Sequence, residues 1–346
     1  MKRITIISFL ALILPVFLIA QSATWPVKAM KGGKEMPVNA YFEDGTVMPV
    51  IAIYEEGNDH FMDVKVIRDG SIVSIKLVSS NEMLVPVKGI TSEGTVVDIK
   101  AEDASGELLD VKGVSRDGNT TNIAAVNIEG REFMLKAISP AGVTRDVKGV
   151  KFNTENVEME FGDLLIIGHV KALPTIEIGD VERQWPVSAT ASDGTIMEVL
   201  AINSKGREYS VKAKMSGKMP YLMNVKGDAS IEIAIKLILQ DHGVILAGID
   251  EFGRMYDVKA KTPTGTMYPI IGGQRKGNVV PIYAVGEGDE MIPLKARASN
   301  GYEFDVKGLK VKEDEVEGII SGLNVWIRYF AHVKALAPAS ANMKEN

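Results

Sequence analysis

From Val87 the chain alternates apolar and polar residues for a few positions, breaks at a polar turn ending in glycine, and starts again. The successive units are VKGITSEGTVVD, IKAEDASGELLD, VKGVSRDGNTTN, IAAVNIEGREFM and LKAISPAGVTRD, followed by VKGV. Each has 12 residues with glycine in its eighth place, at Gly94, Gly106, Gly118, Gly130 and Gly142. Asn81, Gly70, Gly57, Gly45 and Gly33 continue the series upstream at spacings of 11 to 13. Within a unit, Leu109, Val111 and Gly113 share one face, and Leu108, Asp110, Lys112 and Val114 share the other, which is strand periodicity. No window keeps a helical period past the next glycine or proline, so the pattern predicts strands of about 8 residues joined by tight reversals.

A slower repeat overlies the first. Trp25-Pro26-Val27 returns as Trp185-Pro186-Val187, and His169-Val170-Lys171-Ala172-Leu173-Pro174 returns as His332-Val333-Lys334-Ala335-Leu336-Ala337-Pro338. The second half has turn glycines of its own at Gly194, Gly206, Gly217, Gly227, Gly243, Gly253, Gly265, Gly277, Gly288 and Gly301. Ten turns in each half, with matching first and last segments, predict a tandem duplication. The expected divisions are a signal peptide over 1–20, β-repeat domains over 21–174 and 185–338, a linker over 175–184 and a tail over 339–346. The expected fold is all-β, with two homologous domains of about ten antiparallel repeats each.

Turn chemistry sets the register. Proline opens the reversals Pro140-Ala141-Gly142 and Pro263-Thr264-Gly265, and glycine suits the left-handed residue that closes them with a bulge. Residues equidistant from the middle of a loop then face each other: Lys88 with Asp98, Lys100 with Asp110, Lys136 with Asp146, Lys295 with Asp305, and Ile99 with Val111. The repeated Asp-Val-Lys motif thus puts opposite charges across neighbouring strands on a solvent-facing side, where they fix register.

Similar loops at both ends of a strand create a conflict. They ask its central aliphatic residue to bond to two neighbours, whereas a flat antiparallel ladder points N–H and C=O to one. Eight prolines (Pro26, Pro37, Pro49, Pro86, Pro186, Pro269, Pro281 and Pro293) stand just before that central residue. Proline is confined to edges, strand starts and bulges, so each unit should bend there and the sheets should be curved, sandwich-like or barrel-like. Each half should end in a longer closing hairpin: Val157–Phe161 with Leu164–Leu173, and Val316–Ile320 with Leu323–Leu336. These arms are expected either to cap the sheet or to close it against its first strand, with Trp25 and Trp185, at the opposite end of each half, packed beneath them.

The N-terminus changes the setting. Lys2 and Arg3 precede an apolar run from Ile4 to Ala20 broken only by Pro15, the form of a secretory signal peptide with cleavage after Ala20. Its loss leaves 37 basic against 45 acidic residues, a net charge of −8, which disfavours a nucleic-acid surface. No later run is long enough for a membrane-spanning helix. The absence of cysteine excludes disulfides, thiolate zinc sites and a lipid-anchored cysteine.

Candidate chemistry is sparse. His60 and His242 lie in or beside turns, and His169 and His332 hold equivalent places in the halves, which fits packing better than catalysis. The acidic turns Glu43-Asp44-Gly45, Glu55-Glu56-Gly57-Asn58-Asp59 and Gly286-Glu287-Gly288-Asp289-Glu290 lack the ligand spacing of an EF-hand and read as hairpin chemistry. There is no Gly-x-Ser-x-Gly elbow or phosphate-binding glycine motif. Asn119-Thr120-Thr121 matches the N-glycosylation triplet. No catalytic, cofactor-binding or metal-ligating residue is assigned, and no cofactor is expected.

The Val-Lys-Gly/Ala units and the His-Val-Lys-Ala-Leu-Pro ending resemble uncharacterised secreted repeat proteins of the Bacteroidota. The resemblance spans most of the chain and implies a Gram-negative envelope without an assigned activity. The expected function is a non-enzymatic scaffold or binding protein of the envelope, with polysaccharide or protein as partner. The alternatives are an outer-membrane β-barrel and a hydrolase of envelope polymers.

Overall fold

Left-handed glycines turn many of the strands into the next. At Ser139–Val143, Gly142 N–H donates to Ser139 O at 2.9 Å, Ser139 N–H donates to Val143 O at 2.8 Å, and Gly142 has φ +80°, where a side chain would be strained. The computed structural model describes residues 24–54, 61–150, 159–161, 164–174, 182–218, 221–240, 243–276, 279–309, 318–322, 325–329 and 331–336.

The first half runs through β1 (Thr24–Lys31), β2 (Lys34–Tyr41), β3 (Val47–Pro49), β4 (Ile51–Ile53), β5 (Met62–Arg68), β6 (Ser71–Val78) and β7 (Val85–Ile90). It continues through β8 (Val96–Glu102), β9 (Leu108–Asp117), β10 (Thr120–Val126), β11 (Glu132–Ile138), β12 (Thr144–Val150), β13 (Met159–Phe161) and β14 (Leu164–Pro174). The second half begins with β15 (Gln184–Thr190), β16 (Ile196–Ile202), β17 (Glu208–Lys214), β18 (Leu222–Gly227), β19 (Ile233–Gln240), β20 (Gly243–Asp250) and β21 (Met255–Lys261). It ends with β22 (Met267–Gly272), β23 (Val279–Val285), β24 (Met291–Arg297), β25 (Glu303–Leu309), β26 (Gly318–Gly322), β27 (Val325–Tyr329) and β28 (Ala331–Leu336). The stretch expected as linker therefore ends one residue early, because Gln184 already pairs with Lys214.

The strands form curved, closed antiparallel sheets, barrel-like as expected, with a distinctive pairing scheme. In the second half, four groups of three strands pair among themselves: β15–β16–β17, β18–β19–β28, β20–β21–β22 and β23–β24–β25. Every two groups share one further ladder, namely β17–β18, β16–β21, β15–β24, β19–β20, β22–β23 or β25–β28. Four corners joined pairwise by six ladders have the connectivity of a tetrahedron. The first half repeats it. Its corners are β1–β2 with the broken strand β3/β4, β5–β6–β14, β7–β8–β9 and β10–β11–β12. Its ladders are β4–β5, β2–β8, β1–β11, β6–β7, β9–β10 and β12–β14.

Corners resolve the conflict over the central aliphatics. Val50 donates its N–H to Val38 O at 2.9 Å and accepts from Val27 N–H at 3.0 Å, so at the bend one residue does bond two neighbours. The hairpin ladders stop short of these residues. Lys100 pairs with Asp110, but Ile99 leaves the hairpin to face Ala40 across the β2–β8 ladder. Val27, Val38 and Val50 meet as one buried plug, and Val187, Val199 and Val211 form its equivalent.

Ladders explain the Val-Lys-Ala/Gly triplet. Two such triplets pair antiparallel about their middle residue, so that each large side chain faces a small one. Val27 faces Ala137 and Ala29 faces Leu135; Val38 faces Ala101; Val187 faces Ala296 and Ala189 faces Leu294; Val211 faces Gly227. The β6–β7 and β19–β20 ladders depart from this rule, with Leu77 facing Val87 and Leu237 facing Leu246, while the alternation elsewhere suits a small, closely packed interior. The middle residues point outward, and several place lysine opposite lysine, as Lys28 with Lys136 and Lys212 with Lys226. Neighbouring acids relieve that repulsion: Lys212 reaches Asp228 at 2.6 Å and Lys226 reaches Glu232 at 2.6 Å.

The equidistance rule holds for all four Lys–Asp pairs, which are cross-strand partners and hydrogen-bonded. Each half ends in the expected hairpin, β13 with β14 and β26 with β27, but the arms do not close against the first strand. β14 enters the corner of β5 and β6 and the ladder with β12, not the first strand. In the second arm β26 and β27 form a separate pair, and β28 alone joins the shell. Trp185 is buried edge-to-face on Phe304 of β25, ring centroids 4.7 Å apart, in the core that also holds Leu336 of β28. Trp25 lies under the Arg145 guanidinium, 5.5 Å from the ring centre.

Leu77 fills the space that two glycines leave open. A Cβ on Gly149 would overlap its Cδ1, and one on Gly113 would lie 3.0 Å from its Cδ2. Gly149→Ala should cost about 1–3 kcal/mol by overpacking, measured by urea unfolding, and Gly149→Ala with Leu77→Val should recover part of the loss. Additive losses in the double variant would contradict this packing.

Candidate functional site

The histidines and acidic turns come out differently. His169 on β14 faces Val150 and Lys76, and His332 on β28 faces Leu309 and Lys236, so the two are equivalent in the paired backbone. Their side chains, and the whole of His60, His242 and the turn Glu55–Asp59, lie outside the described residues. Asp44 accepts from Thr46 N–H at 3.0 Å and pairs with Arg68 at 2.5 Å, interactions that hold its carboxyl below the usual range. It closes a turn. Among the described residues no group of three or more His, Cys, Asp or Glu is placed to hold a metal ion.

The third acidic turn is different, because it borders a cavity of about 500 Å³ in the second half. Three hairpin tips from three different corners converge there: the β15–β16, β21–β22 and β23–β24 reversals. Buried Met197 and Ile292 and half-buried Tyr268 contribute apolar surface. Ser192, Thr195, Thr262, Thr264 and Thr266 supply hydroxyls, and Asp193, Glu287 and Glu290 supply carboxylates. No lysine, arginine or histidine is among the lining residues. Backbone contacts hold the acids in place. Glu290 Oε1 accepts from Ser192 N–H at 3.0 Å, tying one tip to another, and Asp193 accepts from Thr195 N–H at 2.8 Å. The latter bond keeps the Asp193 carboxyl below its ordinary value, so it stays charged.

Duplication supplies a control for this cavity. Matching the halves at Trp25/Trp185, Lys100/Lys259 and Lys136/Lys295 puts Lys31, Asp103 and Phe133 where the second half has Ala191, Thr262 and Ile292. In the first half the place is occupied. Lys31 Nζ lies 3.5 Å from Asp103 and 5.3 Å from the centre of the Phe133 ring. Hydrogen bonds from Ser105, with further help from Glu107 N–H and Lys31, bring the Asp103 carboxyl down to about 2. Three changes to smaller or uncharged side chains thus open in one half what the other fills from within.

A second cluster lies where the halves meet, and no sequence signal announced it. Tyr221 O–H of the second half donates to Asp146 Oδ2 at 2.5 Å, and Lys136 donates to the same carboxylate. Lys148 Nζ stands 5.2 Å from the centre of the Tyr221 ring. Asn119 Nδ2 donates to Asn224 Oδ1 at 3.0 Å, and Lys218 N–H donates to Asp117 at 2.7 Å. Gly118 approaches so near that a Cβ there would sit 2.5 Å from Ser216 C. Phe61, Val150 and Leu173 join the apolar core of the second half. Two expectations change as a result. Asp146 is buried, not on a wet face like its counterparts, and Asn119 is 4% exposed, too enclosed to accept a glycan.

Electrostatics at this junction favour a fixed charge. Burial alone pushes the Asp146 carboxyl up, but hydrogen bonds from Lys136 and Tyr221 and the charge of Lys148 outweigh it and hold it below the usual range. Burial pushes the Lys148 ammonium down and the Tyr221 phenol up, so the phenol remains the donor. A carboxyl lowered in the folded state contributes stability fully above its unfolded value, about 4, and loses it as pH falls through the folded value. Asp146→Asn should therefore cost about 1–3 kcal/mol at neutral pH, and thermal unfolding should show the gap to the parent narrowing in acid. Lys100→Ala, on a more open pair, should cost less than about 1 kcal/mol. Equal losses, or a gap widening in acid, would be inconsistent with a buried, paired carboxylate.

No curated protein and no solved structure matches the chain. A sequence model described as "Family of unknown function (DUF7486)" matches residues 21–173 and again 181–336. Those two matches coincide with the two tetrahedral shells, and the chain belongs to this family as a protein that carries its domain twice.

Proposed function

We propose that this is an exported, non-enzymatic binding or scaffold protein of the cell envelope, acting in the periplasm, at the outer-membrane surface or outside the cell. The observation that carries the reading is the open, hydroxyl- and carboxylate-lined cavity of the second shell, at the place where the first shell holds Lys31 against Asp103 and Phe133. Hairpin tips from three corners hold it, a rigid frame suited to a preformed site. The lowered Asp193 carboxyl suits a permanent charge better than proton donation, which calls for a raised value. The signal-like N-terminus supports export, and the resemblance to secreted Bacteroidota repeat proteins supports a Gram-negative envelope.

The barrel alternative fits this architecture poorly. A membrane barrel turns an apolar band outward. Here lysines with acidic neighbours recur at the outward places of the ladders, interrupted by apolar residues such as Ile51 and the Ile271–Tyr283 pair, so no continuous apolar band faces out among the described residues, and the inward places are packed mainly with valines and alanines. Expressed in its native host, the protein should begin at Gln21 by mass spectrometry and leave envelope fractions without detergent. Retention of Met1 would refute export, and extraction only by detergent would return the barrel to first place. A pull-down or glycan array with the purified chain should then yield a reproducible ligand.

A further inference from the structure

We infer that the cavity of the second half binds an organic cation, a primary ammonium carried on an aliphatic stem, an assignment that rests on the binding-protein reading above. The first half shows what such a place accepts. There the chain's own Lys31 lays its ammonium beside the Asp103 carboxylate, at 3.5 Å, and against the Phe133 ring, at 5.3 Å. The second half keeps the frame of three converging tips but puts Ala191 in place of the lysine, which leaves a cavity of about 500 Å³.

Charge has changed along with shape. The internal acid of the first half is Thr262 in the second, yet the cavity has gained Glu287 and Glu290, which stand where the first half has Ile128 and Arg131. Removing an internal cation, replacing an arginine by a glutamate and adding a carboxylate all shift the site toward negative potential. With no basic side chain lining it, an anion would meet only repulsion. A neutral polyol would leave the carboxylates without counter-charge. A stem of lysine-like length would lie over Met197, Ile292 and Tyr268, and its ammonium would reach the carboxylates of the tips. Thr262 and Thr264 hydroxyls, 2.8 Å apart, add acceptors at the rim.

The probe is n-butylammonium, the side chain of lysine cut from its backbone, titrated into the isotope-labelled full chain and followed by amide chemical shifts. Nα-acetyl-lysine N-methylamide, run in parallel, distinguishes a free amine from a lysine within a peptide. Shifts are expected at residues 191–195, 262–268 and 286–292, saturating with the ammonium and absent with 1-butanol and acetate. Ala191→Lys should weaken binding by about tenfold or more, because the new side chain fills the site as Lys31 does in the twin. Glu287→Gln combined with Glu290→Gln lies on a surface tip where folding is little at risk, and it should weaken binding to a similar degree. Equal response to butanol and butylammonium, or no response in the three tips, would overturn the assignment. A ligand found by pull-down that ignores these tips would leave the binding-protein reading standing and this assignment refuted.

Discussion

Everything in this fold depends on a self-complementary triplet. Val-Lys-Ala/Gly, laid antiparallel on another copy of itself, puts large against small inside and lysine beside lysine outside. That pairing is local in composition but joins strands far apart in sequence, and it occurs at the ladders that link the corners. The small residue at the third place has no freedom to grow, as the contact of Gly113 and Gly149 with Leu77 shows. Outside, the same register would pile up like charges, and the aspartates and glutamates of adjoining strands offset them. Shell closure and surface charge thus follow from one constraint.

Two copies of a closed shell can diverge without endangering either one. At the tips the first half seals itself with Lys31, Asp103 and Phe133, while the second leaves the same place open. At the junction the copies specialise differently. Asp146 of the first half is buried with Tyr221 of the second, although Lys–Asp pairs of the same register elsewhere stay in contact with water. Removing one partner of such an enclosed charge costs more than removing one from an exposed pair, because the other is left buried without compensation.

Period-two alternation and glycine spacing made the strands, the reversals and the duplication legible, and loop symmetry located all four Lys–Asp pairs. Ten turns delimit eleven strands, and the closing arm supplies the twelfth of each shell. The prolines before Val27, Val38 and Val50 marked the bend correctly. The closure itself was not legible, because which ladder a strand joins after its bend is decided by partners far along the chain, as Leu222 and Leu336 are. For the same reason Asp146 looked like any other repeat aspartate, since its burial depends on Tyr221 in another domain. The cavity had a faint signal: Lys31 and Ala191 differ at matched positions, but only the folded tips show that this difference opens a space.

The late strands β14 and β28 carry a consequence for how such a chain matures. Each is the last piece of its shell, yet each completes a corner with strands laid down much earlier, β5 and β6 in one case and β18 and β19 in the other. A shell therefore lacks one of its four vertices until its C-terminal segment is present. Contacts spanning so much chain close slowly, so closure of each shell waits on its own C-terminal segment. Once that segment is in place every corner is joined to the other three, which leaves few strand edges among the described residues for other chains to add to.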